Sequence, residues 1–390
     1  MLKERYLADA AADDLREQMV FVGGARQVGK TTFAVDLLGK RFRSPAYFNW
    51  DNRADRRAIM GSQWPGDAEL IILDEIHKLR SWKNLLKGEY DKLKDKYKFL
   101  VTGSARLDIV RRGGDSLQGR YHYYRLHPFT LAELIGSKSV LVPFKEIEIS
   151  ELASSPELDA LLDFGGFPEP LFKQSVRFLR RWHNEKIERM FRDDIMTVEQ
   201  MRDFGRMKLL SDMLPERVGS LFSTNAARED LEASFRAVSN WLVVLESFYY
   251  HFRIQPFVHR WIRSIKKEPK LYLWDWSEVP DPAARFENMI AGHLLKLCHL
   301  LHDRDGLRAE LFFLRDVDKK EVDFLVTVDR KPWFAVEAKL SEDRIAPSLL
   351  LFRDKLKIPF AYQVLRKSGV HIFTNDVRVI SADRFLGGLV

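Results

Sequence analysis

The sequence predicts an α/β chain whose first third is a parallel sheet, followed by a helical middle and a second α/β region. Three observations carry this. Residues 19–135 alternate short apolar runs with amphipathic stretches, residues 205–250 read as helix throughout, and strand-like runs return after Pro269. In the first third, Met19–Val22, Ala46–Phe48, Leu70–Leu73 and Phe99–Val101 read as buried strands, each followed by a candidate helix. That rhythm is the one a parallel sheet needs for its crossovers. From 136 to 195 strands fade: residues 164–170 (FGGFPEP) read as a rigid loop and Val176–Arg192 as a basic amphipathic helix. Beyond Pro269, a helix at Ala283–Leu301 precedes strands at Glu310–Leu314, Val322–Val328 and Trp333–Leu340, separated by Asp- and Lys-rich turns. The expected segments are 1–135, 136–204, 205–270 and 271–390.

Composition narrows the class. The 390 residues are 46% hydrophobic and 31% charged, a globular balance that excludes intrinsic disorder. Lysine and arginine number 63 against 56 acids, a net +7 that suits an anionic partner without demanding one. A single cysteine, Cys298, excludes an intrachain disulfide or a multi-cysteine zinc site and fits a reducing cytoplasm. Neither a signal-peptide apolar core nor a membrane-length apolar run is present, so a cytoplasmic protein without membrane association is expected.

Residues 24–31, Gly24-Ala25-Arg26-Gln27-Val28-Gly29-Lys30-Thr31, match G-x-x-x-x-G-K-[ST] between a strand and a helical run that starts at Thr32. Glycines let backbone amides fold around phosphates, and the helix start presents its N–H groups to the anion. Lys30 would reach the β- and γ-phosphates, and the Thr31 hydroxyl would ligate Mg²⁺. The strand Leu70–Leu73 ends in Asp74, placed to hold Mg²⁺, and Glu75, placed to polarise an attacking water. Ser104, after the strand Lys98–Val101, is a candidate γ-phosphate sensor. Arg120, after Gly119, is either an arginine finger or a structural arginine. These residues predict binding and hydrolysis of ATP or GTP with Mg²⁺.

The middle segment predicts a helix-turn-helix. Met207–Phe222 reads as one amphipathic helix, Ser223-Thr224-Asn225 offers caps for a short helix Ala226–Ala233, and Ser234 caps Phe235–Phe248. In that last helix Val238, Trp241, Leu242 and Leu245 make one apolar face and leave Arg236, Ser239 and Asn240 exposed, as on a recognition helix. His251–Lys270 then carries Arg253, Arg260, Arg263, Lys266, Lys267 and Lys270 against the lone acid Glu268, interleaved with Phe257 and Trp261. A winged helix with a basic wing reads this way, and so does a solvated basic face on a helical bundle.

At the C-terminus, Asp323 lies on one predicted strand, Glu337 and Lys339 share a face of the next by i, i+2 spacing, and Glu287 lies on the preceding helix. Carboxylates around Mg²⁺ with a lysine beside them suit phosphodiester hydrolysis; acids at solvated turns are the plainer alternative.

Taken together, residues 21–32 (FVGGARQVGKTT), 73–78 (LDEIHK), 102–104 (TGS), 119–121 (GRY), 164–170, Glu287-Asn288, 321–324 (EVDF) and 337–339 (EAK) resemble the prokaryotic AAA+-type ATPases that carry a conserved C-terminal domain of unknown function. The resemblance implies a P-loop ATPase core, a winged helix and a C-terminal domain similar to PD-(D/E)xK nucleases, in which Glu287, Asp323 and Glu337 would hold metal beside Lys339. It also implies ATP and Mg²⁺ as cofactors. Three functions fit: a nucleotide-controlled DNA-binding switch with an inert nuclease fold, an ATP-regulated Mg²⁺-dependent endonuclease, and a protein-interaction switch without DNA binding. The first is favoured, with DNA and a further copy of the chain as expected partners.

Overall fold

The computed structural model describes residues 3–103, 117–152, 154–195, 203–258, 267–342 and 344–390. Its contacts group the chain into two units: one runs through His127 and includes Ser247–Tyr249, and the other holds Pro128–Glu246 and Tyr250–Val390. The expected four segments are therefore finer than the contacts make them.

The first unit is a five-stranded sheet of β1 (Met19–Gly24), β2 (Ala46–Asn49), β3 (Leu70–Asp74), β4 (Lys98–Thr102) and β5 (Tyr121–Leu126), in the order β2-β3-β4-β1-β5. Every neighbouring pair is parallel. β1 and β3 are buried along their whole length, which explains why their text is continuous apolar rather than alternating. Phe21, Ile71, Leu73, Phe99 and Val101 meet Trp82 and Leu86 of the helix Trp82–Leu93 in one core. Each such side chain withdrawn from water contributes roughly 1.5–3 kcal/mol. Placing β4 between β1 and β3 sets Val22 beside Thr102 and Thr102 beside Asp74. The carboxyl ends of three strands thus converge where parallel sheets hold their ligands. β5 has no apolar run in the sequence; its Tyr-His-Tyr-Tyr text is held by pairing along the length of β1.

The second unit is an eight-stranded sheet in the order β12-β13-β11-β10-β9-β8-β6-β7. Its strands are β6 (His251–Pro256), β7 (Lys270–Leu273), β8 (Ala309–Arg315), β9 (Glu321–Val328), β10 (Lys331–Lys339), β11 (Phe360–Leu365), β12 (His371–Thr374) and β13 (Val377–Ser381). The helix Pro282–Asp305 packs against it. Asp281 caps that helix by accepting from the Ala284 amide at 2.8 Å, Pro282 fits its first turn, and Gly306 at φ +68° ends it. Phe286, Met289, Ile290, Leu294, Leu297 and Leu301 form its buried stripe.

The middle of the chain departs from expectation at several places. Met207–Phe222 is not one helix. The helix Phe204–Met213 gives way to a 3₁₀ turn, Leu214–Arg217, and Leu221 then makes an antiparallel bridge to Lys270. Pro215, which has no N–H to continue a helix, and Gly219 at φ +75° account for the break. The next two helices, Thr224–Asp230 and Phe235–Ser247, have the predicted caps: Ser223 Oγ accepts from the Ala226 amide and Ser234 Oγ from the Ala237 amide. The antiparallel hairpin β6–β7 follows, and β6 also pairs with β8. Segment 205–270 therefore shares its sheet with the C-terminal region. The predicted loop at 164–170 turns helical from Pro168, in Pro168–Lys173, and the basic helix Val176–Arg189 continues as a π-helical turn, Met190–Ile195. Among the described residues no helix is long and apolar enough to cross a membrane.

Candidate nucleotide site and carboxylate cluster

The loop after β1 is shaped by its glycines. Gly24 sits at φ +151°, where a Cβ would lie 2.4 Å from the Leu126 carbonyl oxygen, and Gly29 sits at φ +94°. Neither conformation nor space admits a side chain at Gly24. Ala25 and Val28 are buried, Arg26 and Gln27 half-buried, and the helical run begins at Lys30 with Thr31 and Thr32 at the surface. The Lys30 ammonium donates to the carbonyls of Gly24 at 3.1 Å and Ala25 at 2.8 Å, so it curls over the loop it belongs to. Arg5, which carries no motif, donates to the carbonyls of Val28 (3.2 Å) and His127, tying the loop to the end of β5.

Asp74 is the hub at the strand ends. Thr31 Oγ1 donates to its Oδ2 at 2.9 Å, Tyr47 Oη to the same oxygen at 3.0 Å, and Thr102 Oγ1 to Oδ1 at 2.6 Å. Burial and the adjacent carboxylate push the Tyr47 phenol up to about 12, so it stays a neutral donor at physiological pH. Neither Tyr47 nor Thr102 was given a role: no local motif marks Tyr47, Thr102 belongs to the TGS run noted for Ser104, and only the β2-β3-β4 order brings the two together. Glu75 adopts a left-handed backbone, φ +58°, of the kind non-glycine residues hold at functional sites. Its Oε2 lies 3.2 Å from the Lys78 ammonium, which also pairs with Asp51 at 2.5 Å.

Arg120 is not brought to this loop. It precedes β5, with the Met19 amide donating to its carbonyl, and lies at the opposite end of β1 from Gly24. Its guanidinium pairs with Asp91 at 2.7 and 3.0 Å. A finger role within its own chain does not fit that placement. Ser104 lies outside the described residues.

In the second unit all four predicted C-terminal residues converge, and a fifth joins them. The Ala338 amide donates to Asp323 Oδ2 at 2.9 Å, the Asp323 amide to Glu337 Oε2 at 3.4 Å, and Lys339 Nζ lies 2.9 Å from Glu337 Oε1. Tyr272 Oη donates to Glu287 Oε1 at 2.6 Å. The unforeseen member is Lys270: its Nζ lies 2.7 Å from Glu321, 3.2 Å from Glu287 and 3.4 Å from Asp323. Lys270 is 2% exposed, so it is not part of a solvated basic wing. Burial opposes its charge, but Glu287, Asp323 and Glu321 outweigh that and hold its pKa well above the usual lysine value. Burial and then the Asp323 charge push both Glu287 and Glu337 up to about 7. Lys270 thus contacts two of the three carboxylates expected to hold a metal, Glu287 and Asp323.

The same construction recurs nearby. His183, Asp275 and Glu278 gather their ligand atoms within 4.8 Å, yet Lys186 Nζ stands between Asp275 (2.8 Å) and Glu278 (2.7 Å).

Of the predicted DNA-contacting residues, Arg236, Asn240 and Lys267 are exposed and Ser239 half-exposed; Arg260, Arg263 and Lys266 lie outside the described residues. Arg253 is engaged by Glu246. On the same helix, Phe235 (53% exposed) and Val243 (49%) add an apolar element that sequence reasoning had not singled out.

Comparison with known proteins matches three stretches of the chain. Residues 16–135 match a family described as an AAA domain, and with the parallel sheet and phosphate loop they make the first unit a P-loop ATPase domain of the AAA type. Residues 155–277 and 283–385 match two domains of unknown function, DUF8612 and DUF4143. An uncharacterized protein of Methanocaldococcus jannaschii, MJ1544, is 24% identical over 348 residues, 82% of this chain and 74% of its own. An uncharacterized protein of Mycobacterium tuberculosis, Rv2008c, is 23% identical over 67% of this chain, which spans about half (55%) of that relative's length. Among solved structures, the Aeropyrum pernix ORC1 protein in complex with DNA aligns with TM-score 0.33 at 17% identity, over 75% of this chain and 93% of that one. The Thermotoga maritima RuvB branch migration motor aligns with TM-score 0.28 at 18% identity, over 63% and 87%.

Proposed function

We propose that the chain is an ATP-hydrolysing switch that binds DNA through a winged helix, with a nuclease-like C-terminal domain serving as a platform that does not cut. The observation that carries the ATPase half is the 2.9 Å contact of Thr31 with Asp74 beside the glycine-shaped loop. These two residues would hold Mg²⁺, which when bound supplies charge neutralisation for the triphosphate. Lys30 leaves its own loop carbonyls for phosphate oxygens, and Glu75, once released by Lys78, accepts the proton of the attacking water. Tyr47 and Thr102 hold Asp74 in the orientation its role needs.

The DNA half is supported by element order: a helix, a bridging strand residue, two capped helices and a hairpin, with Leu221 pairing to Lys270 of the hairpin. Helix Phe235–Ser247 presents Arg236, Ser239 and Asn240, types that meet phosphates and base edges, and Phe235 and Val243 suit thymine methyls. The test is duplex-DNA binding by fluorescence anisotropy, with ATP, ADP or no nucleotide, across about 50–200 mM salt. Affinity should fall steeply with salt and differ between ATP and ADP, and Arg236→Ala or Lys267→Ala should each reduce the salt slope by about 1. An absence of DNA affinity at the lowest salt would leave the protein-interaction switch in its place.

A further inference from the structure

Lys270 opens β7, and its ammonium is almost wholly withdrawn from solvent among three acids that come from two other elements: Glu287 from the helix Pro282–Asp305, and Glu321 and Asp323 from β9. We infer that Lys270 is the resident cation of this carboxylate cluster, standing where a divalent metal would otherwise be needed, so that the cluster binds no metal and the domain does not hydrolyse phosphodiesters. The inference deepens the platform reading above and rests on it.

Charge makes the first argument. Four carboxylates meet here, those of Glu287, Glu321, Asp323 and Glu337, and three side-chain cations already answer them. Lys270 contacts three of the acids, Lys339 pairs with Glu337 at 2.9 Å, and Arg315 pairs with Glu321 at 2.5 Å. A neutral donor, Tyr272, caps Glu287. Divalent metal sites need oxygen ligands whose charge is not already met; here Glu287 Oε1 and Asp323 Oδ1 are bonded to an ammonium and Asp323 Oδ2 to the Ala338 amide. A second positive ion would be repelled by Lys270 across a buried, weakly screened distance.

Access makes the second. Gly219, at φ +75°, lies over Glu287: a Cβ there would stand 3.3 Å from Glu287 Oε2, and the Gly219 amide donates to the Leu271 carbonyl at 3.1 Å. The chain that leads into the helix-turn-helix thus covers the side of the cluster nearest Glu287. Lys270 is bound to that same chain through its bridge to Leu221. The ammonium is therefore also a tie, joining the hairpin, the long helix and β9 at one point.

The experiment is Mn²⁺ binding to the full chain, nucleotide-free, followed by the electron paramagnetic resonance of free Mn²⁺. An Asp74→Asn background silences the nucleotide site. With Lys270 intact, no Mn²⁺ should be taken up at concentrations of about 1 mM, the weak end of biological divalent sites. Lys270→Met should gain one Mn²⁺ site at least on the order of tenfold tighter, lost again on adding Asp323→Asn, with its melting temperature lowered and restored by Mn²⁺. Mn²⁺ uptake by the Lys270 protein that Asp323→Asn removes would overturn the inference. So would a Lys270→Met protein that melts like the parent and binds no Mn²⁺. Should Lys270→Met fail to fold, Lys270→Arg, which keeps the charge, decides with the intact chain: a folded variant without Mn²⁺ uptake supports the inference, and uptake overturns it. DNA affinity measured on the same samples separates the two readings, since its loss would sink the DNA-binding function while leaving the Lys270 result standing.

Discussion

Two strand aspartates, Asp74 at the end of β3 in the first unit and Asp323 within β9 in the second, show how neighbours decide what a carboxylate can do. Asp74 accepts hydrogen bonds from three neutral hydroxyls, those of Thr31, Tyr47 and Thr102. Hydroxyls fix its orientation and leave its charge to attract a cation. Asp323 accepts from the Ala338 amide on one oxygen and faces the Lys270 ammonium with the other, inside a cluster whose remaining acids are also paired. Both aspartates lie on motifs that suggest metal, but only the second faces a side-chain ammonium, and on the inference above only the first binds one.

Matching substitutions at the two sites should therefore produce opposite phenotypes. The largest expected effect is Lys270→Ala, which leaves buried carboxylates unpaired and should cost the second unit about 3–5 kcal/mol, seen as a lower urea midpoint. Lys30→Ala should instead leave the midpoint nearly unchanged and abolish nucleotide binding. If both lysines proved equally silent in stability, the contrast would fail. Glu75→Gln should retain ATP affinity while turnover falls by about 10²–10³-fold, equivalent to about 3–4 kcal/mol; normal turnover would remove Glu75 from the chemistry.

A smaller effect concerns acid. Burial lowers both His251 and His293 to about 4, and His293 is fixed as a neutral tautomer, with Nδ1–H donating to the Met289 carbonyl and Nε2 accepting from the Leu131 amide. A folded-state pKa below the unfolded value means that stability is present above pH ~6.5 and lost as pH falls toward 4. Glu287 and Glu337, raised to about 7, act in the opposite direction, regaining stability on acidification. The clean readout is thus a difference: between pH 7 and 5, wild type should lose about 2 kcal/mol more than His293→Gln in paired denaturation curves. Equal losses would mean the histidine is not held neutral. Smallest of all, Thr102→Val should cost about 1 kcal/mol in Mg²⁺–ATP affinity, measured by calorimetry, because Asp74 retains its other donors.

The parts legible in the sequence were those written locally. β1, β3 and β4 announce themselves as apolar runs, the phosphate loop as a spaced motif, and the helix caps at Ser223 and Ser234 as single residues ahead of an amphipathic stretch. Glu287, Asp323, Glu337 and Lys339 were also identified as a set. What could not be read was decided by distant pairing. Lys270 sits in a run of basic residues and looks like any wing lysine; its burial depends on acids 17 to 53 residues away. β5, with its tyrosines, and the strands β11 to β13 depend likewise on neighbours rather than on their own pattern.

The pairing of Gln255 and Pro256 in β6 with Phe312 and Phe313 in β8 bears on how the protein can be dissected. Cut away everything after the long helix, and the supposed DNA-reading piece would carry a bare strand margin, with backbone groups seeking any chain to join. Such a fragment should stick to itself, and an apparent oligomer seen with it would report the scissors rather than the molecule.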